Sequence, residues 1–188
     1  MGTRDPESKR KRLIEAALTE FAAFGIAGAR VDRIAAAAQS NKAQIYHYFG
    51  SKDALFDAVF GEVVASTLRE APLDAADLPG YAGSMFDRYE QDPDISRLAT
   101  WYRLERADAG RLLQAVVSSY QGKIAAITRA QKAGQLPTTF RPEDLLALVV
   151  HTAALWTALN PEFSDVVRKH GRAHRRQVVV DAVRALLL

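Results

Sequence analysis

Between positions 42 and 48 the chain sets Lys42, Gln44, Tyr46, His47 and Tyr48, a row of polar and aromatic side chains that packing into a core would not ask for. Against a nucleic-acid duplex these residue types have clear tasks. A glutamine amide carries a donor and an acceptor that match the major-groove edge of adenine. Lys42, Tyr46 and, further on, Lys52 can donate to phosphate oxygens, fixing register without reading sequence. A helix starting at Lys52 and Asp53 would add free backbone N–H groups on the same phosphate track.

Nothing else in the chain composes a site for catalysis. The 188 residues contain no cysteine, which excludes disulfides, thiolate nucleophiles and sulfur-ligated zinc. His170 and His174 have the spacing of a two-histidine metal pair, but Arg168, Lys169, Arg172, Arg175 and Arg176 flank them with a field that opposes a cation. His151 sits in an apolar run and reads as a hydrogen-bonded core or pocket histidine rather than a base. Ser118 and Ser119 lack a base and a nucleophile elbow, and no phosphate-cradling glycine loop is present. The expectation is a chain with no catalytic residue, no metal and no cofactor.

The elements that hold the row must be helices. Alanine occurs 33 times against 11 glycines, and strand-type alternation is hard to find, so the expected fold is all-α. A first helix is predicted over 7–24, with Leu13, Ala17, Phe21 and Phe24 on its apolar face, Gly25 as its stop and Gly28 in the loop beyond. A short second helix is predicted over 31–38. A third starts after Asn41, a good N-cap, and stops at Gly50. Ser51 caps a fourth, over 52–70, with Leu55, Phe56, Val59 and Phe60 on its buried side. Two short helices joined by a tight turn, the second polar and aromatic, form a helix-turn-helix pattern. Ile45, Phe49 and Leu55 read as the module's core, and the basic cluster Lys9–Arg12 as either a flexible arm reaching DNA, the favoured reading, or a solvated helix start.

Charge follows the same division. The formal net charge is +3, distributed as +4 over residues 1–52, −8 over 53–94 and +7 over 95–188. A basic N-terminal module followed by an acidic stretch fits a polyanion-binding domain joined to a part that does not touch the polyanion. No apolar run approaches the roughly 18–20 residues of a membrane span, and no apolar segment follows the basic N-terminus as a secretory signal would require. The expected location is cytoplasmic, without a membrane partner.

The run Asn41-Lys42-Ala43-Gln44-Ile45-Tyr46-His47-Tyr48-Phe49-Gly50-Ser51-Lys52-Asp53-Ala54-Leu55-Phe56, preceded by Phe24-Gly25 and Arg33-Ile34-Ala35, resembles the TetR (tetracycline-repressor-like) family of bacterial transcriptional regulators. The resemblance implies a DNA-binding domain over 1–52 and a helical ligand-binding and dimerisation domain over 53–188. It implies DNA contacts from Arg30, Lys42, Ala43, Gln44, Tyr46, His47, Tyr48 and Lys52. Three positions depart from the family pattern. Arg30 stands where Thr or Ser often caps the second helix, with Asp32 offered as partial compensation, and Gln39 stands where the turn usually carries Gly. At the tip of the recognition helix, where small residues are usual, stand Ala43 and Gln44, which shifts the bases read.

Prolines divide the remainder into helices predicted over 76–91, 94–106, 108–134, 143–159 and 172–187, the third acting as a central strut. The last two are apolar on more than one face and so must be buried on more than one side; they predict a homodimer with a four-helix interface. Family members commonly hold a small-molecule pocket in this domain, which implies a ligand site drawn from Met85, Phe86, Tyr89, Trp101, Tyr102, Tyr120, His151 and Trp156. Asp87, Glu90 and Glu105 would favour a cationic ligand if they faced inward, though their spacing suggests solvent. The function these readings imply is a ligand-responsive regulator, a repressor that leaves a palindromic double-stranded operator when a small-molecule effector binds, with the fourth helix as the coupling element. The alternative is a helical small-molecule sensor without operator recognition.

Overall fold

Apolar residues recurring at helical spacing, punctuated by proline and glycine, fold as the sequence suggests into helices. The computed structural model describes residues 6–106 and 112–188, and every regular element among them is helical. In chain order these are α1 (Pro6–Gly28), α2 (Val31–Ala37), α3 (Lys42–Phe49), α4 (Lys52–Glu70), α5 (Leu78–Gln91), α6 (Pro93–Arg106), α7 (Gln114–Lys132), α8 (Pro142–Ala153), α9 (Pro161–Val166) and α10 (Arg172–Ala185). The start at Asp108 predicted for the strut lies outside the described residues; within them that helix begins at Gln114. The helices form two compact units, one from residues up to Ser66 with Pro93–Val116, the other from Thr67–Asp92 with Val117–Leu188.

In the first unit α1 to α4 and α6 share one core. Leu13, Ala17, Phe21, Ile34, Ile45, Leu55, Phe56, Val59 and Leu98 are sealed from solvent. Phe21 meets Phe56 edge-on at 5.2 Å between centroids, and Tyr102 stacks on Phe60 at 4.5 Å. Each fully buried Phe or Leu contributes about 1.5–3 kcal/mol of transfer free energy.

The end of α1 is more specific than a glycine stop. Gly25 takes φ 71° and ψ −178°, a region that is essentially glycine-only, and the chain then turns once more before Gly28. The break brings the backbone against α6: a Cβ on Gly25 would lie 2.8 Å from the Trp101 ring and 2.3 Å from Glu105 Oε1. Trp101 Nε1 donates to the Ala22 carbonyl at 3.2 Å, and the Ala27 N–H donates to Glu105 Oε2 at 2.8 Å. Phe24, expected in the core, is instead exposed, and the Arg33 guanidinium lies 4.1 Å from its ring centroid. The cluster Lys9–Arg12 is not an extended arm either, because it forms the first turns of α1.

In the second unit α5, α7, α8 and α10 bury Leu78, Tyr81, Ala82, Met85, Phe86, Ile127, Leu145, Leu146, Val149, Val179 and Val183. Two acidic residues of α5 clamp α10. Arg172 and Arg176 reach Asp87 at 2.5 and 2.7 Å, and Arg175 grips Glu90 through two bonds of 3.0 and 2.6 Å. The predicted helix over 143–159 stops early, at Ala153. Ala154 leaves helical geometry, Thr157 Oγ1 donates back to its carbonyl, and Trp156 turns so that Nε1 donates to the Arg175 carbonyl at 3.1 Å. A short 3-10 turn, Leu155–Thr157, and the unpredicted α9 follow, the latter capped by Asn160. α10 is also less apolar than expected, burying Val179, Val180 and Val183 on one face and exposing Arg172, His174, Gln177, Asp181 and Arg184 on the other.

Candidate nucleic-acid interface

The outward helix is built from α1 upward. α2 begins at Arg30, whose side chain makes no cap. What secures this helix start is instead Glu20, on the buried face of α1 and only 8% exposed. Its Oε1 accepts from the Arg30 backbone N–H at 2.8 Å, and from Arg33 at 2.7 Å through Nε and 2.5 Å through Nη2. Burial alone would raise the pKa of this carboxyl, but the hydrogen bonds from Arg33 and Arg30, with their charges, hold it below its ordinary value. Asp32, expected to compensate at this helix start, pairs instead with Lys42 Nζ at 2.6 Å.

The turn into α3 tolerates a side chain at a cost. Gln39 adopts φ 51°, the left-handed conformation that the family's glycine would enter freely. The Ser40 N–H donates to the Ala35 carbonyl at 2.8 Å and that of Gln39 to Ala36 at 3.1 Å, which satisfies the end of α2. Asn41 then caps α3, accepting from the Gln44 N–H at 2.9 Å.

Along α3 one face is anchored and the other is wet. Ile45 is fully buried, Tyr48 and Phe49 are half-buried against the core, and Lys42, Ala43, Tyr46 and His47 are exposed. Arg10 lies over Phe49, and His47 meets Tyr48 edge-on. Gln44 is half-buried, and its Oε1 accepts from Ser40 Oγ at 2.7 Å. That bond takes one of the two lone pairs on the amide oxygen, leaving the other and both amide hydrogens for a partner. Ser40 thus orients the residue best suited to reading a base. Arg30 projects into solvent at the start of α2. Lys52 is half-buried, and its ammonium donates to the carbonyls of Ala27 and Ala29, both at 3.2 Å, so it neutralises the C-terminal end of α1.

Sequence reasoning passed over Glu20 and Ser40. Glu20 could have been noticed as a carboxylate interrupting the apolar stripe of Ala17 and Phe21, a position that demands a partner. Ser40 carries no such signal.

The residues considered for a ligand site fall in different places. Trp101 and Tyr102 belong to the first unit and pack within it; Met85, Phe86, Tyr89, Tyr120, His151 and Trp156 belong to the second. Met85 and Phe86 are buried, Tyr89 and Trp156 half-buried, and Tyr120 exposed. His151 is exposed rather than in the core, with Nδ1 2.8 Å from the Ala147 carbonyl. Asp87 and Glu90 are engaged by arginines and Glu105 by the Ala27 N–H, which removes the argument for a cationic ligand.

Helical units throughout, with a short capped helix presenting polar side chains on a helix-turn-helix frame, define a DNA-binding transcriptional regulator. Residues 13–59 match the model for bacterial regulatory proteins of the tetR family, and 77–185 that for the tetracyclin repressor-like C-terminal domain. The chain therefore belongs to the TetR family. It is 36% identical over 174 residues to the HTH-type transcriptional repressor SCO4008 of Streptomyces coelicolor, covering 92% of this chain and 90% of that protein. It is 29% identical to the repressor NicS of Pseudomonas putida, over 76% of this chain and 71% of that one. The crystal structure of SCO4942, a regulator from Streptomyces coelicolor, superimposes with a TM-score of 0.84 at 40% identity, covering 95% and 97% of the two chains. Regulators of this family bind DNA operators and small-molecule effectors and form dimers. Among the described residues no helix is long and apolar enough to cross a membrane.

Proposed function

We infer that this chain is a homodimeric repressor that binds a palindromic operator through α3 and is released by a small-molecule effector. The single observation that carries this reading is the two-sided character of α3, buried at Ile45 and presenting Lys42, Ala43, Tyr46 and His47 to solvent beside an oriented Gln44. Gln44 reads adenine in the major groove, with Ala43 leaving room for close approach. Lys42, Tyr46 and Arg30 hold phosphates, and His47 and Tyr48 flank them. Lys52 supports the same phosphate track while holding the end of α1.

Dimerisation near the C-terminus is supported by apolar surface left uncovered on α8, the 3-10 turn and α9, rather than on α10. Leu148, Leu155 and Phe163 are exposed, and Val166 is 69% exposed. Burying such side chains against a second copy is favourable and places two recognition helices for successive half-sites, roughly 34–36 Å apart or a multiple of it. An effector in the C-terminal domain acts by favouring a conformation with the two recognition helices mis-spaced. Its differential affinity for the two states sets how far the operator is vacated. The repressor names of the relatives support the sign of regulation.

Selection of bound sites from fragmented genomic DNA tests the reading. An inverted repeat that Gln44→Ala re-specifies at one position per half-site is the expected result. Affinity indistinguishable between the selected site and random duplex would favour the sensor without operator recognition.

A further inference from the structure

The second unit contains a cluster in which Tyr81, Tyr89, Tyr120 and Lys123 come together. Tyr81 is only 3% exposed, and its hydroxyl is sealed from solvent without a hydrogen-bond partner among the described residues. A buried hydroxyl left unmade costs about 1–3 kcal/mol, so such an atom calls for a ligand or another explanation. Lys123 on α7 is half-buried, with Nζ 5.7 Å from the centre of the Tyr81 ring, and no carboxylate among the described residues pairs with it. Burial pushes its pKa down, the mark of an ammonium short of solvent and of anions. Tyr89, one face of α5 along from Tyr81 and Met85, is driven up to about 12 by burial, then by Tyr120. Tyr120 is exposed and gives the cluster an open side.

The acidic residues of α5 do not compensate this cation. Asp87 and Glu90 are taken by Arg172, Arg176 and Arg175. An uncompensated ammonium over the Tyr81 ring and the unpartnered O–H of that same ring, in the apolar cluster that includes Met85 and Ile124, put two donors beside an apolar body. A cation would meet repulsion at Lys123, and a neutral apolar molecule would leave both donors unmade.

We propose that the effector of this regulator is an apolar monoanion, a carboxylate on an aromatic or alkyl body, received by Lys123 and the hydroxyl of Tyr81. The proposal rests on the effector-released repressor described above and names the chemistry of its ligand. The carboxylate accepts from the Lys123 ammonium and the Tyr81 hydroxyl, and its apolar body displaces side-chain contacts around Tyr89 and Tyr120.

The test uses the full-length dimer, thermal melting and release of the selected operator, with a panel in which each member is offered as acid, amide and amine: phenylacetate, phenylbutyrate, octanoate and decanoate with their matched derivatives. The expected result is that acids alone raise the melting temperature and release DNA. Lys123→Met, which keeps the stem and removes the charge, is expected to weaken acid binding about tenfold or more, while operator affinity without ligand stays as in the parent. Tyr81→Phe is expected to weaken it by a smaller factor while preserving the fold. Amides or amines acting as well as acids, or Lys123→Met leaving the acid preference intact, would overturn the anionic assignment and keep the effector-released repressor. No compound of any class shifting either readout would overturn both.

Discussion

Glu20 offers the sharpest test of how the recognition helix is held. Its carboxylate accepts from the Arg30 backbone N–H at the start of α2 and fixes the Arg33 guanidinium, so Glu20→Ala removes one charge-assisted backbone hydrogen bond and a two-pronged ion pair. The backbone bond contributes about 1 kcal/mol. A hydrogen bond to a buried charge adds about 1.5–3 kcal/mol, discounted here because the arginine is 40% exposed and partly screened. The expected loss is about 2–3 kcal/mol, with Glu20→Gln losing about half because an acceptor for the Arg30 N–H remains. With a urea slope of about 2 kcal/mol/M, Glu20→Ala lowers the midpoint of the helical circular-dichroism transition by about 1–1.5 M. Since the folded-state pKa of Glu20 lies below its ordinary 4.5, the stabilisation is fully present above that pH and fades as pH falls through the folded value. The gap between parent and Glu20→Gln should therefore be constant above about pH 5 and close in more acidic solution. A Glu20→Ala midpoint within 0.2 M of the parent, roughly 0.4 kcal/mol at that slope, would refute the reasoning.

Gly25→Ala combines a disallowed φ with a Cβ driven into Trp101 and Glu105, and should destabilise by about 2–5 kcal/mol in the same urea titration. Gln39→Gly relieves the left-handed strain against a larger unfolded-state entropy, for a net gain of about 0.5 kcal/mol, visible as a slightly raised midpoint. Lys42→Ala should weaken binding to every duplex alike and flatten the salt dependence by about one phosphate, with stability unchanged to within about 0.5 kcal/mol. Lys52→Ala should also lower stability, because its ammonium closes the end of α1; a purely DNA-directed effect would show that bond to be idle. Leu148→Glu should shift the molar mass in solution from dimer towards monomer, and an unchanged mass by light scattering would move the interface elsewhere.

The helical class, the caps at Asn41 and Ser51, and the polar row of α3 were legible because each depends on residues within one turn of one another. The length of α8 was not, since Leu155, Trp156 and Leu159 continue its apolar pattern, while the bond from Trp156 to the distant Arg175 holds the chain where it turns away. Phe24 fitted the stripe of α1 by spacing, yet the glycine break beside it turns its ring outward to Arg33.

By itself the sequence determined a helical regulator with a particular reading helix, because helix periodicity, capping and residue chemistry are local properties of consecutive side chains. Only the tertiary structure decided which charges are spent inside the protein. Glu20 with Arg30 and Arg33, Glu105 with Ala27, and Asp87 and Glu90 with the arginines of α10 are pairings across 10 to 89 positions of sequence. Local spacing carries no record of them, since a carboxylate shows no preference among distant partners until packing brings one within hydrogen-bond reach and excludes the water that would otherwise solvate both.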